Sequence, residues 1–211
     1  MGKKVWSAIS YVFHPALMPA LGTFIILWCD PNLYIPLDTD KPWLIILSVV
    51  FICTYLLPLV LSWMLLKLGR ISSITHPSEN DRRVLLAFTA LCYILVYYTF
   101  HKRMPPSAQS LNVFMLGINI SIISTLIISL FTKVSFHSVG AGGLLGTVIG
   151  LMHYTHTSLY TWLLGAFAIV VLVGLARYKS KAHDAFNIYI GLIIGIAAQA
   201  LVFFFGVTPL S

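Results

Sequence analysis

The chain has 211 residues, 59% of them hydrophobic and 9% charged, with 13 Lys+Arg against 6 Asp+Glu and a formal charge of +7. Mean hydropathy is +0.92, whereas a soluble globule carries about 25% charged residues, so a water-facing fold is excluded and lipid must cover what polar surface cannot. The positive residues sit between apolar runs and not along one polar face or an aromatic-studded groove, which excludes a nucleic-acid partner and favours anionic headgroups or a phosphate-bearing ligand.

The N-terminus, MGKKVW, lacks the small-residue cleavage pattern of a secretory signal and reads as retained. Seven apolar runs follow, at 15–29, 43–66, 84–100, 111–131, 139–152, 159–176 and 188–207. A membrane helix needs about 20 mainly apolar residues, so the second, fourth and seventh runs are strong and the first and fifth are short unless their polar flanks join them. The fifth, SVGAGGLLGTVIGLMH, is rich in glycine, which permits close backbone approach between packed helices; a broken or tilted segment is the other reading. The Ala/Gly/Ile-rich last run is expected to pack inside the bundle. The fold class is therefore all-α, a polytopic transmembrane helical bundle of six or seven spans forming a single integral membrane domain over residues 1–211. Cys29, Cys53 and Cys92 lie in or beside apolar runs and read as small buried hydrophobes, with neither a disulfide framework nor a metal-ligand spacing.

Short connections let the charge rule set orientation. With seven spans, one face holds Lys3, Lys4, Lys67, Arg70, Arg82, Arg83, Lys133, Arg177, Lys179 and Lys181, and the other only Lys41, Lys102 and Arg103 beside Asp30, Asp38 and Asp40. That asymmetry puts the N-terminus and the basic face in the cytoplasm. The loops around Arg82/Arg83, Lys133–His137 and Arg177–His183 are separated by two spans each, so they share one face whichever way the chain inserts.

On that face two stretches carry chemistry. In KVSFHSVGAGG, Lys133, Ser135 and His137 precede the start of a probable helix, whose free N–H groups and positive field suit an anion. Ser135 offers a hydroxyl, and His137 can move a proton near neutral pH. In ARYKSKAHDAFNIY, Arg177 and His183 flank a boundary between spans, and Arg177 supplies a fork of donors matched to phosphate oxygens. His183 and Asn187 are four apart, on one helical face, so the Asn187 carbonyl is expected to accept from the imidazole and turn its other nitrogen toward a ligand. An interfacial histidine in a positive-inside loop is the plainer reading of each stretch alone. Together they fit phosphoryl chemistry, one imidazole attacking phosphorus and the other protonating the departing oxygen, with no metal and no other cofactor called for.

These residues resemble the type 2 phosphatidic acid phosphatase (PAP2) superfamily, whose pattern is lysine, six residues, Arg-Pro; then Pro-Ser-Gly-His; then Ser-Arg, five residues, His, three residues, Asp. Arg177-YKSKA-His183 keeps the last spacing, with Ala176 and Asn187 where serine and aspartate are usual. Ser135-Phe136-His137 is similar to the middle motif, with Val134 and Phe136 in the proline and glycine places. Arg83 stands for the first motif's arginine, followed by Val84; His76 falls at the lysine spacing, and Arg82 is the alternative. The resemblance covers about residues 81–195, and the HPALMP opening looks like that of short, divergent bacterial members.

The resemblance implies a membrane lipid phosphatase of the bacterial inner membrane. It would hydrolyse a lipid phosphate or a polyprenyl diphosphate through a phosphohistidine on His183, with His137 the proton donor and Asn187 the orienting residue. Arg177, Arg83, Ser135, Arg82 and Lys133 would bind phosphate. Membrane lipids are then its partners and substrates; a non-hydrolytic lipid-binding protein or a transporter is the alternative. Phe136 brings a ring to a turn where none is usual and is expected to crowd it. Elsewhere, His14-Pro15 and Met18-Pro19 read as a kink or interfacial anchor, His153 and His156 fall on the opposite face, and Asn119 and Gln199 read as intramembrane packing amides.

Overall fold

The computed structural model describes residues 3–74 and 77–206 and is a multi-spanning all-α membrane bundle. Among the described residues six segments are long and apolar enough to cross a bilayer: Ala8–Cys29, Pro42–Lys67, Glu79–Arg103, Pro106–Ile128, Tyr160–Lys179 and Ala185–Phe205. Leu91, Leu95, Leu164, Phe167 and Ile193 are exposed on their outer surfaces, where water would penalise them and hydrocarbon does not.

The first segment is bent. Helix α1 (Lys3–Val12) stops at His14, which is extended because the ring of Pro15 disfavours helical geometry in the residue before it. A 3-10 turn, Pro15–Leu17, leads into α2 (Met18–Cys29), with Pro19 in its first turn, where a missing N–H costs nothing. The kink expected at His14-Pro15 is thus present.

The second segment is interrupted as well. It comprises α3 (Pro42–Phe51), a π-helical turn (Ile52–Leu56) and α4 (Leu57–Lys67). Pro58 has no N–H to donate to the carbonyl four residues back. The orphaned Thr54 carbonyl is satisfied from outside, by the buried Tyr93 hydroxyl of α5 (Glu79–Arg103), which donates to it at 3.2 Å.

Helix α5 starts at a capping box: Asp81 N–H donates to Ser78 Oγ at 3.1 Å, and Ser78 N–H to Asp81 Oδ2 at 3.2 Å. That start fixes Arg82 in the first turn of α5 and Arg83 immediately after it. Helix α6 (Gln109–Ile128) returns, and Asn119 ties it to α5 by donating to the Tyr93 carbonyl at 3.2 Å.

The glycine-rich stretch forms one continuous helix, α7 (Phe136–Thr155), neither broken nor confined to the short apolar run. Its 20 residues span about 30 Å, the thickness of the hydrocarbon core. Twelve of those residues are buried against other helices. An interior helix needs no lipid-facing surface, which is how it tolerates serine, threonine and glycine and why it falls outside the six apolar segments. Helix α8 (Tyr160–Lys179) and α9 (Ala185–Phe205) complete the bundle.

The α7–α9 pairing is the most extensive in the protein. A Cβ built on Gly142 would lie 2.5 Å from the Leu192 carbonyl oxygen, and one on Gly191 would lie 2.7 Å from that of Ser135. Two Gly-x-x-x-Gly pairs, Gly142/Gly146 and Gly191/Gly195, therefore seat backbone on backbone. Helix α9 is two-sided, not wholly interior as expected: its glycine face meets α7, while Tyr189, Ile193 and Leu201 are exposed. Gln199, buried on that inner face, donates to the Phe114 carbonyl at 3.2 Å.

Candidate functional site

The α7–α9 contact brings the start of both helices to one end of the bundle, beside the start of α5 and the ends of α6 and α8. Every basic loop singled out in the sequence meets there. His153 and His156 lie at the other end of α7, and His101–Arg103 at the other end of α5.

Arg82 reaches across from α5 and donates from a terminal nitrogen to the Val134 carbonyl at 2.9 Å. Its guanidinium carbon stands 4.8 Å from the centre of the Phe136 ring. The ring expected to crowd the turn is thus accommodated as a stacking surface for Arg82. Arg83 donates to the Ser129 and Leu130 carbonyls at 3.4 and 3.5 Å, capping the C-terminal end of α6. Lys133 pairs with Glu79 at 2.9 Å, both side chains well exposed, so the pair contributes little to stability.

Ser135 caps α7. Its hydroxyl oxygen accepts from Ser138 N–H at 3.4 Å and from the Ser138 hydroxyl at 2.9 Å, and the side chain is fully buried. Ser135 N–H donates to the Asn187 carbonyl at 3.3 Å, tying the two helix starts together.

His137 follows in the first turn of α7. Its Nε2 lies 3.1 Å from the Ser10 carbonyl of α1. A carbonyl oxygen only accepts, so Nε2 carries the proton and Nδ1 holds the free lone pair. The same reasoning applies to His183, whose Nδ1 stands 3.0 Å from the Lys133 carbonyl. Nδ1 donates there, leaving Nε2 as the basic nitrogen. The basicity of His183 is pushed down to about 4, first by burial and then by the positive fields of Arg177 and Arg82, against the opposing effects of the Lys133 carbonyl and Asp184. The half-buried imidazole is therefore neutral at pH 7.

Arg177, in the last turn of α8, is within electrostatic reach of both imidazoles, and Arg82 is within reach of Arg177 and His183. The two imidazoles are close enough to feel each other's charge. The loop beyond Arg177 doubles back through Lys181, which has φ 55°, and Ala182 N–H donates to the Arg177 carbonyl at 3.2 Å. That turn returns His183 to its arginine. The Arg177 Nε is buried and has no hydrogen-bond partner among the described residues.

Asn187 does not do what its spacing suggested. Its side-chain oxygen accepts from the Thr132 hydroxyl at 2.7 Å and its amide nitrogen donates to Asp184 Oδ1 at 2.6 Å. Asp184 caps α9 by accepting from Asn187 N–H at 2.9 Å and holds the Asn187 amide nitrogen, while the Thr132 hydroxyl occupies the side-chain oxygen that the imidazole would have needed. The Lys133 carbonyl orients His183 instead.

A cavity of about 290 Å³ opens beside this cluster, lined among others by Arg82, Arg83, Thr132, Lys133, Phe136 and Asn187. Neither imidazole nor Arg177 lines it. The residues named from the sequence therefore divide. His137, His183, Arg177 and Arg82 form one electrostatic cluster; Arg83, Lys133 and Asn187 face the adjoining cavity; Ser135 lies beneath as a cap. His76 lies outside the described residues. Sequence reasoning missed the Ser10 and Lys133 carbonyls, which no side-chain motif marks. His14, read from the sequence as part of a kink or interfacial anchor, has its ring centre 5.8 Å from that of His137.

No family model, curated protein or solved structure matches the chain.

Proposed function

We propose that the protein is a membrane lipid phosphatase, acting on a lipid phosphomonoester or diphosphate through a phosphohistidine intermediate. The observation that carries this reading is the constellation at the helix ends: two imidazoles, each anchored at one nitrogen by a backbone carbonyl and basic at the other, around an arginine with a buried, unpaired donor. The Arg177–His183 spacing and the Ser135–His137 stretch supply the further likeness to the PAP2 superfamily.

In the proposed reaction His183 Nε2 attacks phosphorus, and the bond to the leaving oxygen breaks. His137, protonated on Nδ1 when an anion is bound beside it, gives that proton to the leaving oxygen. Water then attacks the phosphohistidine as His137 takes its proton, the N–P bond breaks, and phosphate leaves with His183 neutral again. Arg177 and Arg82 offset charge gathering on the phosphoryl oxygens, aided by the start of α7. The Lys133 carbonyl orients His183 but, unlike a carboxylate, brings no full negative charge to support a positive ring. The charge rule assigns this end of the bundle to the cytoplasm.

Purified protein in nanodiscs should release phosphate from a panel of lipid phosphates and diphosphates without added metal, and His183→Ala should abolish release. Full activity in that variant overturns the mechanism. Tight lipid-phosphate binding with no turnover would favour the non-hydrolytic binding or transport alternative.

A further inference from the structure

We propose that His14 is a positioning residue: together with the Ser10 carbonyl it holds His137 in the Nε2–H tautomer and so keeps Nδ1 as the nitrogen offered to a ligand. The proposal rests on the phosphatase reading for its consequence in turnover, but not for the tautomer itself.

Two irregularities in different segments meet at this ring. The first is the break between α1 and α2, where His14 is extended and its Nδ1 accepts from Ala16 N–H at 3.3 Å. That bond fixes the side chain to its own turn. The second is the π-turn Ile52–Leu56, which carries Tyr55; turns of this kind re-aim side chains within a helix and concentrate at functional sites. The His14 ring meets Tyr55 edge-on, with centroids 5.9 Å apart and planes at 79°. It also meets His137 edge-on, at 5.8 Å and 75°. His14 thus bridges the π-turn and His137.

A histidine ring that turns over about its outer bond exchanges nitrogen for carbon, and Nε2 would leave the Ser10 carbonyl. The His14 ring packed against it obstructs that motion, while the carbonyl rewards the retained orientation at 3.1 Å. Arg177, His14 itself and His183 are the charged or titratable groups that act electrostatically on His137 among the described residues. A single basic nitrogen of fixed position suits a group that must give and take one proton at one place.

The test uses full-length protein labelled with ¹⁵N-histidine in nanodiscs, as wild type, His14→Ala and His14→Phe, with the His137 signals assigned by His137→Gln. Wild type should show His137 as Nε2–H alone. His14→Ala should populate the second tautomer and lower kcat about tenfold with KM unchanged, the scale of effect expected from a small misplacement of a reacting group. His14→Phe, which keeps the ring edge, should restore the single tautomer; its restoration also shows that the alanine effect is not misfolding. A single Nε2–H tautomer in His14→Ala overturns the proposal, as does failure of His14→Phe to restore it. If wild type releases no phosphate from any lipid tested, the phosphatase reading fails, and the tautomer spectra still judge His14.

Discussion

Replacing Gly195 by alanine inserts one methyl group where α9 crosses α7. The new carbon would press on the Val139 carbonyl oxygen while lying 2.5 Å from Gly143 N and 2.9 Å from Gly142 C. All three are backbone atoms, so no side chain can swing aside and the helices must part. Overpacking of this kind costs roughly 1–3 kcal/mol, against a gain of up to about 1 kcal/mol from alanine's better helix propensity. Gly165→Ala on α8 is the matched control, because a Cβ there meets nothing within 4 Å and only the propensity gain remains. Unfolding of the purified variants in mixed micelles should therefore place Gly195→Ala below wild type and Gly165→Ala at or above it; the propensity gain is common to both, so the overpacking cost of about 1–3 kcal/mol separates them. Equal stability of the two would refute the claim that backbone contact between α7 and α9 is what the glycines provide. Gly191→Ala extends the test to the site, since its Cβ would lie 2.7 Å from the Ser135 carbonyl and push the two helix starts apart.

Two further predictions concern charge. Because His183 titrates at about 4 and not near the ordinary 6.5, ¹⁵N titration should find its ring neutral at pH 5; a midpoint near 6.5 would contradict the placement of Arg177 and Arg82 around it. The sign for stability follows from the folded value lying below the unfolded one. The unfolded chain takes up a proton that the folded chain refuses, so this group costs stability as pH falls from 6.5 toward 4 and costs none above that window. Inorganic phosphate or vanadate should raise the melting temperature of wild type, with about 2.7 kcal/mol expected at a hundredfold excess over Kd. Arg177→Gln should remove that shift and Lys179→Ala should keep it; equal shifts in both would displace Arg177 from the anion site.

The spans were legible because hydrocarbon imposes length and apolarity on any helix that faces it. Parity along the chain was enough to put Arg82, Lys133 and Arg177 on one face, since it needs only the number of crossings between them. The interior helix α7 was harder. Its ends, Ser135–His137 and His153–Thr155, are polar, so an apolar-run search trims them, and glycine reads equally as packing or as a break. The π-turn was invisible within an unbroken run, although Pro58 marks where a carbonyl loses its partner. Asn187 shows why spacing misleads: four residues from His183 it shares a face, but its oxygen accepts from Thr132, which is 55 positions away in sequence, and the His183 ring turns to the Lys133 carbonyl. Contacts such as His137 with Ser10, separated by 127 positions, depend on how a bent N-terminal segment docks. A single sequence carries no local sign of them.

The three arginines named from the sequence do different work, and the difference lies in which of their donors are already spent. Arg82 and Arg83 donate to the carbonyls of Val134, Ser129 and Leu130, bracketing the loop between α6 and α7. That loop is the one whose Lys133 carbonyl fixes the His183 ring. Arg82 thus acts on His183 through the shape of the loop as well as through its charge. A lysine there would keep the charge but lose the guanidinium held over the Phe136 ring. Arg177 has no such structural task for its Nε, which is buried and unpaired at a cost to the fold. On the proposed phosphatase reading, a bound anion would complete the bonding of that donor, and the neutral His183, its basicity lowered, would then face the anion with a lone pair.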